Sequence, residues 1–199
     1  MRVSRTKPQR KSAGHALPIL IILIVSLALG GIFELACLGV ERLTHPRKYE
    51  ALVSGWALEY GVPEQVVYAL IKTESGFDST KQGDRGEIGL LQLLPGLYVE
   101  LAESVQDPGI NAAALYDPGT SIRYGTMYLA RLYQKYGMWR TVFAAWHAGE
   151  EKVDAWLQNP EYTDPDFGTL VTIPDREIAK AVKKTVKAQE IYEKLYYAK

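Results

Sequence analysis

The chain has 199 residues, of which 47% are hydrophobic and 23% are charged, a balance typical of one globular domain with a substantial core. Its formal charge is zero, but residues 1–15 contain five basic residues and no acidic one, so the rest of the chain is mildly acidic. An acidic body argues against a nucleic-acid partner. The single Cys37 excludes an intramolecular disulfide and three histidines give no zinc-type ligand set, so we expect no metal and no cofactor.

The first element is an apolar run, Ala16 to Phe33, that contains no charged residue. At ~1.5 Å per residue it spans most of a ~30 Å hydrocarbon core, which predicts a single transmembrane helix at residues 16–40. The preceding basic residues predict that segment 1–15 stays in the cytoplasm and that the body lies outside the membrane. A cleavable secretory signal is the alternative, but the run is longer than a typical apolar signal region and no clean cleavage site follows it.

A short polar linker at residues 41–48 leads into the body, residues 49–199, in which apolar residues recur at helical spacing. Glycine, proline and aspartate mark several of the helix boundaries. No alternating strand pattern is present, so the predicted fold class is all-α. The predicted elements are helices at 49–60, 63–76, around 90, 97–104, 118–136, 139–148, 153–157 and from 174 onward, with a long loop at 159–172.

Five tyrosines crowd the region from residue 116 to residue 136. They can pack in the core, or they can form a cleft wall for sugar rings, because aromatic faces pack on the apolar faces of sugars. The sequence leaves both interpretations open.

Glu74 stands at the end of the second predicted helix of the body. Positions 67, 70, 71 and 74 share one helical face, so Glu74 continues an apolar row. Apolar surroundings and the C-terminal end of a helix both raise the pKa of a carboxyl group, which suits a proton donor near neutral pH. The alternative is that Glu74 reaches solvent or pairs with Arg85.

A glycine-rich loop follows this helix. Gly83, Gly86 and Gly89 allow the backbone to approach Glu74 and a ligand closely, and Gln92 returns an amide after an apolar turn. An acid beside a glycine-lined groove with hydrogen-bonding groups is suited to holding and protonating a glycosidic bond.

Five segments of the body carry the strongest signal in the sequence. They are ESGF at 74–77, GEIGLLQLLP at 86–95, LYDPGTSIRYGTMYL at 115–129, AAWHAGEEKV at 144–153 and IPDREIAKAV at 173–182. In this order they resemble the lysozyme-like catalytic domain of the soluble lytic transglycosylases, glycoside hydrolase family 23, and especially its short membrane-anchored Gram-positive forms. The resemblance covers roughly residues 49–196, which is nearly the entire body.

The resemblance implies a lysozyme-like helical fold and cleavage of the β-1,4 bond between N-acetylmuramic acid and N-acetylglucosamine in peptidoglycan without water. Glu74 occupies the position of the family's single catalytic glutamate. That residue protonates the leaving oxygen and then helps the muramoyl C6 hydroxyl attack C1, which gives a 1,6-anhydro end. No second carboxylate is needed, whereas ordinary glycosidases generally use two.

The resemblance also carries over binding positions one at a time. Gln92 matches the amide that holds the sugar near the acid, and Leu91 stands where the family usually has methionine. Ser75 follows the acid as in the family, but it can also be a polar residue that ends the helix. Glu177 matches a family glutamate, but it can also be a charge at a helix N-terminus after Pro174. The substrate-binding residues implied in this way are Ser75, Gly89, Leu91, Gln92, Trp146, His147 and Glu177.

Three departures from the family pattern bear on activity. Gly83 stands where a serine beside the acid is common, and Ala181 replaces a tyrosine. Trp146 and His147 replace the Tyr-Asn pair of the family, although both can still donate a hydrogen bond.

The expected function is therefore an enzyme anchored in the cell membrane by one helix, with its catalytic domain outside and glycan strands of peptidoglycan as its substrate. We also expect partners in the cell-wall machinery. The departures keep a second hypothesis open, a module that binds glycan or a wall-assembly partner without cutting it. A third is a water-using muramidase in which Asp164 or Asp166 supplies a second carboxylate.

Overall fold

A computed structural model of the chain describes residues 16–198, which divide into two compact units between Thr44 and His45. The first unit is one helix, α1 (Ala16–Thr44), and its segment Pro18–Thr44 is long and apolar enough to cross a membrane. Because no glycine or proline interrupts residues 41–44, the helix extends four residues into the predicted linker. The basic segment 1–15 lies outside the described residues.

The second unit is helical, as predicted, and within residues 45–198 the only β-structure is three isolated bridges. A 3₁₀-helix, Ala112–Tyr116, precedes α5, and a π-helical turn, Glu193–Tyr197, follows α8. The α-helices are α2 (Glu50–Tyr60), α3 (Glu64–Glu74), α4 (Pro95–Ser104), α5 (Pro118–Tyr136), α6 (Trp139–Ala148), α7 (Glu150–Leu157) and α8 (Arg176–Tyr192).

Helix α3 forms the centre of the body. Its six residues from Val66 to Ile71 are all buried, so this helix is apolar on every side rather than on a single face. Helices α2 and α8 pack against it, and α8 also packs on α6. Glu74, the last residue of α3, is therefore held on the most deeply buried element of the fold.

Local signals in the sequence set several helix ends. Asp117 and Asp175 cap α5 and α8 by accepting hydrogen bonds from backbone N–H groups of the first turn. Gly61 and Gly137 end α2 and α5 in the left-handed conformation, with φ of 65° and 67°. The predicted boundaries of α6 are confirmed at both ends.

One local prediction is corrected by the structure, and the prediction of a long loop is confirmed. The apolar residues around Leu90 form a buried turn closed by the bridge between Ile88 and Leu93 rather than a helix, because the chain on the two sides of the turn pairs with itself. The long loop predicted at 159–172 is confirmed, and it is closed by a bridge between Thr163 and Leu170. Arg140 donates hydrogen bonds to two of its carbonyl groups.

The crowded tyrosines divide between core and surface. Tyr124, Tyr128 and Tyr136 are buried, whereas Tyr116 and Tyr133 are 37% and 40% exposed. Of the five, Tyr128 is the one that reaches the groove described below. Core packing therefore accounts for most of the cluster.

Candidate active site

The end of α3 presents Glu74 at the surface of the core. Gly76 and Phe77 follow with positive φ (63° and 71°), and this left-handed turn buries the Phe77 ring. Lys81 and Lys184 donate hydrogen bonds to backbone carbonyl groups of the last turn, where a helix carries partial negative charge. The Glu74 side chain remains 17% exposed, so it is mostly withdrawn from solvent but still reachable.

The glycine-rich loop is a compact turn in which two antiparallel bridges share Ile88. Gln92, with a positive φ of 49°, donates from its side-chain Nε2 to the carbonyl groups of Lys81 (3.0 Å) and Gly89 (2.9 Å). Both amide hydrogens therefore bind the backbone of the loop. Only the Oε1 atom of Gln92 is left to accept a hydrogen bond from a ligand.

A second carboxylate, Glu87, lies in the same loop and is 9% exposed. Its Oε1 accepts a hydrogen bond from Arg85 Nε at 2.7 Å, and its Oε2 accepts one from the Arg85 backbone N–H at 3.0 Å. Burial opposes the ionisation of Glu87, but these backbone and guanidinium hydrogen bonds outweigh it and lower the pKa of the carboxyl group. Glu87 is thus a fixed anion at neutral pH.

The end of α6 brings His147 to Glu74. His147 Nδ1 lies 3.4 Å from Glu74 Oε1, and the two side chains are 16% and 17% exposed. Glu74 Oε1 and His147 Nε2 are both buried and make no hydrogen bond in the free protein. Each of these two buried atoms therefore keeps an unused hydrogen-bonding position.

Burial sets the charge of this pair. It raises the pKa of Glu74 to about 7, helped by the charge of Glu87 and opposed by nearby cations, chiefly Lys81 and Lys184. Burial lowers the pKa of His147 to about 4, and the positive charges of Arg85 and Lys184 act in the same direction. Near neutral pH the histidine is consequently uncharged, and a large fraction of Glu74 carries its proton.

These side chains line two adjoining pockets, which we name together as a groove with two halves. The aromatic half carries Tyr128 and Trp146, whose ring centroids are 5.3 Å apart. The charged half carries Glu74. Arg85, Glu87 and Gln92 belong to both halves. The other lining residues are Leu93, Leu94, Leu97, His147, Ala148 and Gly149 in the aromatic half and Lys81, Gln82, Gly83 and Asp84 in the charged half.

The structure brings together four of the residues predicted for the site, namely Glu74, Gln92, Trp146 and His147. The other four predicted residues do not line the groove. Their predicted contacts with substrate stay untested. They are Ser75, Gly89, Leu91 and Glu177.

Each of these four residues has another structural place. The Ser75 hydroxyl donates to the Ile71 carbonyl (3.1 Å) at the helix end, and Leu91 is buried in the core. Gly89 is also buried. Glu177 is 79% exposed at the start of α8, 4.0 Å from the Lys180 ammonium group.

Gly89 is required by the backbone of the loop, which gives a testable prediction. It has φ of 81°, and an added Cβ would lie 2.0 Å from the Leu115 carbonyl oxygen. We expect Gly89→Ala to lower the free energy of unfolding by at least about 3 kcal/mol, since backbone strain and overpacking add. Gly86→Ala is the matched control: φ is 85° but no atom lies within 4 Å, so a loss of about 1 kcal/mol is expected. Equal losses in chemical denaturation would contradict the role of the Leu115 contact.

Glu87 was not predicted from the sequence, which instead suggested Asp164 or Asp166 as a second carboxylate. Asp164 accepts hydrogen bonds from two backbone N–H groups of its own loop, and neither it nor Asp166 lines the groove. The one sequence signal for Glu87 was an acid between two loop glycines, two residues after an arginine. Within residues 16–198 no three His, Cys, Asp or Glu side chains lie close enough to hold a metal ion.

The body is helical and lysozyme-like, and it holds a mostly buried acid in a groove. These features place the chain in the class of lysozyme-like proteins. The family model for the transglycosylase SLT domain matches residues 51–166, so the chain belongs to that family. The 70-kDa soluble lytic transglycosylase of Escherichia coli has a similar structure, with a TM-score of 0.72 and 26% identity over 79% of this chain and 26% of that one. Lytic transglycosylase Slt of Pseudomonas aeruginosa, solved as an inactive glutamate-to-glutamine mutant, gives a TM-score of 0.68 at 26% identity over 75% of this chain and 24% of that one.

Curated relatives agree with the family. The soluble lytic murein transglycosylase of Escherichia coli K12 is 28% identical over 149 residues, 74% of this chain and 23% of the relative. Membrane-bound lytic murein transglycosylase C of Haemophilus ducreyi is 32% identical over 95 residues, 45% of this chain and 25% of the relative. The chain thus spans about a quarter of the length of these relatives.

Proposed function

We propose that the body of this protein is a peptidoglycan lytic transglycosylase, which cleaves the β-1,4 bond between N-acetylmuramic acid and N-acetylglucosamine and leaves 1,6-anhydro ends. The observation that carries the proposal is a carboxyl group, Glu74, that is mostly buried yet lines a groove in a chain of this family. A Pseudomonas relative that is inactive as a glutamate-to-glutamine mutant supports a glutamate in this role.

Glu74 performs both proton transfers in this mechanism. Protonated Glu74 gives its proton to the glycosidic oxygen, the C1–O bond breaks, and positive charge develops on the muramoyl ring. The resulting carboxylate then takes the proton of the C6 hydroxyl as that oxygen attacks C1, which closes the anhydro ring and restores protonated Glu74. No water is consumed. A pKa of about 7 suits both roles, because a catalytic group works best when its pKa is close to the operating pH.

His147 supports Glu74 in both protonation states. An uncharged imidazole that carries its proton on Nδ1 can donate to Oε1 whether or not Oε2 is protonated, and Nδ1 lies 3.4 Å from Oε1 in the free protein. Since its pKa is about 4, His147 does not compete for the proton near neutral pH. Glu74 Oε1 faces His147, which leaves Oε2 for the substrate.

The aromatic half of the groove supplies the binding surface. Trp146 and Tyr128 offer ring faces to sugars, and the free Oε1 of Gln92 offers an acceptor to a sugar hydroxyl or acetamido group. These contacts preserve binding in a chain that lacks the family's usual Tyr-Asn pair.

A water-using muramidase is the second candidate, and Glu87 is the observation that favours it. A hydrolase needs a second carboxylate near the scissile bond, and Glu87 is the ionised carboxylate that lines both halves of the groove. Arg85 holds both oxygens of Glu87, which favours a fixed charge over a nucleophile or base.

The masses of the products decide between these candidates. The full-length chain, purified in detergent, is incubated with purified peptidoglycan, and the released muropeptides are weighed. Products lighter by one water than hydrolysed muropeptides are expected for the lyase. Hydrated ends would assign a muramidase, and no products from several wall types would assign a module that binds without cutting.

We also propose that α1 anchors the protein in the cell membrane as a single span, with segment 1–15 in the cytoplasm and the body outside. The length and composition of α1 support the anchor, and a membrane-bound relative is consistent with it. The proposed domains are the cytoplasmic segment 1–15, the anchor 16–40, the linker 41–48 and the catalytic domain 49–199. Protease added outside intact cells should digest the body but leave α1 in the membrane fraction.

A further inference from the structure

Glu87 occupies space that a side chain at position 83 would need. A Cβ added to Gly83 would lie 2.5 Å from Glu87 Oε2, 3.1 Å from its Cδ and 3.0 Å from Gln92 Oε1. Glycine at 83 and glutamate at 87 are therefore a matched pair: the absence of one side chain leaves room for the other. Position 83 lies on the charged half of the groove. Replacing a side chain at 83 by the glutamate at 87 therefore alters the polar surface beside Glu74.

The Glu87 carboxylate retains capacity to bind a ligand. A carboxylate has about four acceptor positions, and the hydrogen bonds from Arg85 use part of them. Arg85 also fixes the orientation of the carboxylate through the ion pair at 2.6 Å. Sugar hydroxyl and acetamido N–H groups are donors that such a preorganised anion binds strongly.

We propose that Glu87 is a substrate-binding residue that accepts hydrogen bonds from the sugar next to Glu74, taking the place that a hydroxyl side chain at position 83 would fill. Arg85 acts through Glu87 as a positioning residue. This inference rests on the proposed function of the groove as a glycan site.

A double-mutant cycle tests this exchange, with full-length protein in detergent and soluble, peptide-free glycan strands as substrate. Glu87→Ala is expected to lower kcat/KM about 10- to 100-fold, because hydrogen bonds to a charged group are lost. Gly83→Ser is expected to lower it too, since the new side chain displaces Glu87 and Gln92. The double variant, Gly83→Ser with Glu87→Ala, should regain at least about 10-fold over Glu87→Ala, because serine then fits the vacated space and restores a polar group.

The pH profile tests whether Glu87 acts on the site as an anion, and the binding measurement described below tests its contact with substrate. The groups that face Glu74 are Lys81, Lys184, Arg85, Glu87 and the neutral His147. Because Glu87 contributes negative charge and restrains Arg85, removing it should move the alkaline limb of kcat/KM to lower pH. The inference is overturned if Glu87→Ala matches the parent in rate and profile, or if the double variant is no better than its single variants. If Glu87→Ala fails to fold, Glu87→Gln replaces it in the same comparisons.

A binding measurement keeps failure of the inference distinct from failure of the proposed function. In a Glu74→Gln background, adding Glu87→Ala is expected to raise the Kd for peptide-free glycan strands about 10-fold. If the parent does not cut peptidoglycan but this loss of affinity is measured, the proposed lyase activity is wrong and the Glu87 binding site is supported. If the parent cuts peptidoglycan normally but Glu87→Ala causes no loss of affinity, the lyase activity is supported and the Glu87 inference is wrong.

Discussion

Glu74→Gln should abolish peptidoglycan cleavage while making the folded protein more stable above neutral pH. The variant loses the only proposed proton donor, so kcat/KM should fall by at least about 1,000-fold. It also removes a group whose burial raises its pKa from 4.5 to about 7. An acid with a raised folded-state pKa costs stability progressively as pH rises from 4.5 to 7, here about 3 kcal/mol in full. At pH 8 the variant should be more stable by about that amount, and at pH 4 the two should be nearly equal.

Chemical denaturation followed by tryptophan fluorescence measures this difference in the full-length chain, because all four tryptophans lie beyond residue 55 and report on the body. Glu59→Gln is the matched control, since Glu59 is exposed on α2. It should leave peptidoglycan cleavage unchanged, because Glu59 does not line the groove. A Glu74→Gln protein that digests peptidoglycan as fast as the parent would remove Glu74 from the mechanism.

The parts of the fold that could be predicted from the sequence are those specified by local capping and helix-ending residues. Asp117 before Pro118 and glycine at 137 specify the ends of α5 without help from distant residues. The turn around Leu90 was wrongly predicted as helix, because apolar spacing over a few residues does not distinguish a helical turn from a buried loop. The burial of residues 66–71 of α3 likewise depends on the helices that surround it.

The site also contains residues that motifs predict and contacts that only the fold creates. Glu74 and Gln92 were predicted from motifs, and the groove contains both. Contact between Glu74 and His147 joins α3 to α6, and no spacing along the chain encodes it. Glu87 escaped prediction because its importance comes from the empty space at Gly83, a property of the folded loop rather than of any residue type.

His147→Asn is expected to change the pH dependence of stability in the opposite direction from Glu74→Gln. Burial lowers the pKa of His147 from 6.5 to about 4, so the folded state resists protonation. A base with a lowered folded-state pKa costs stability as pH falls from 6.5 to 4, about 3 kcal/mol in full. Removing it should therefore stabilise the protein by about that amount at pH 4 and change little at pH 8.

In the parent the two groups nearly cancel, because Glu74 favours acid pH and His147 favours alkaline pH over overlapping ranges. The free energies of unfolding of both variants are compared with the parent at each pH, so that contributions of other titrating groups cancel. Opposite slopes are expected for the single variants, and a flat difference for the double variant. Parallel slopes would contradict a neutral histidine beside a protonated acid. If the two groups were instead a charged pair, removing either one would destabilise the protein over the same pH range.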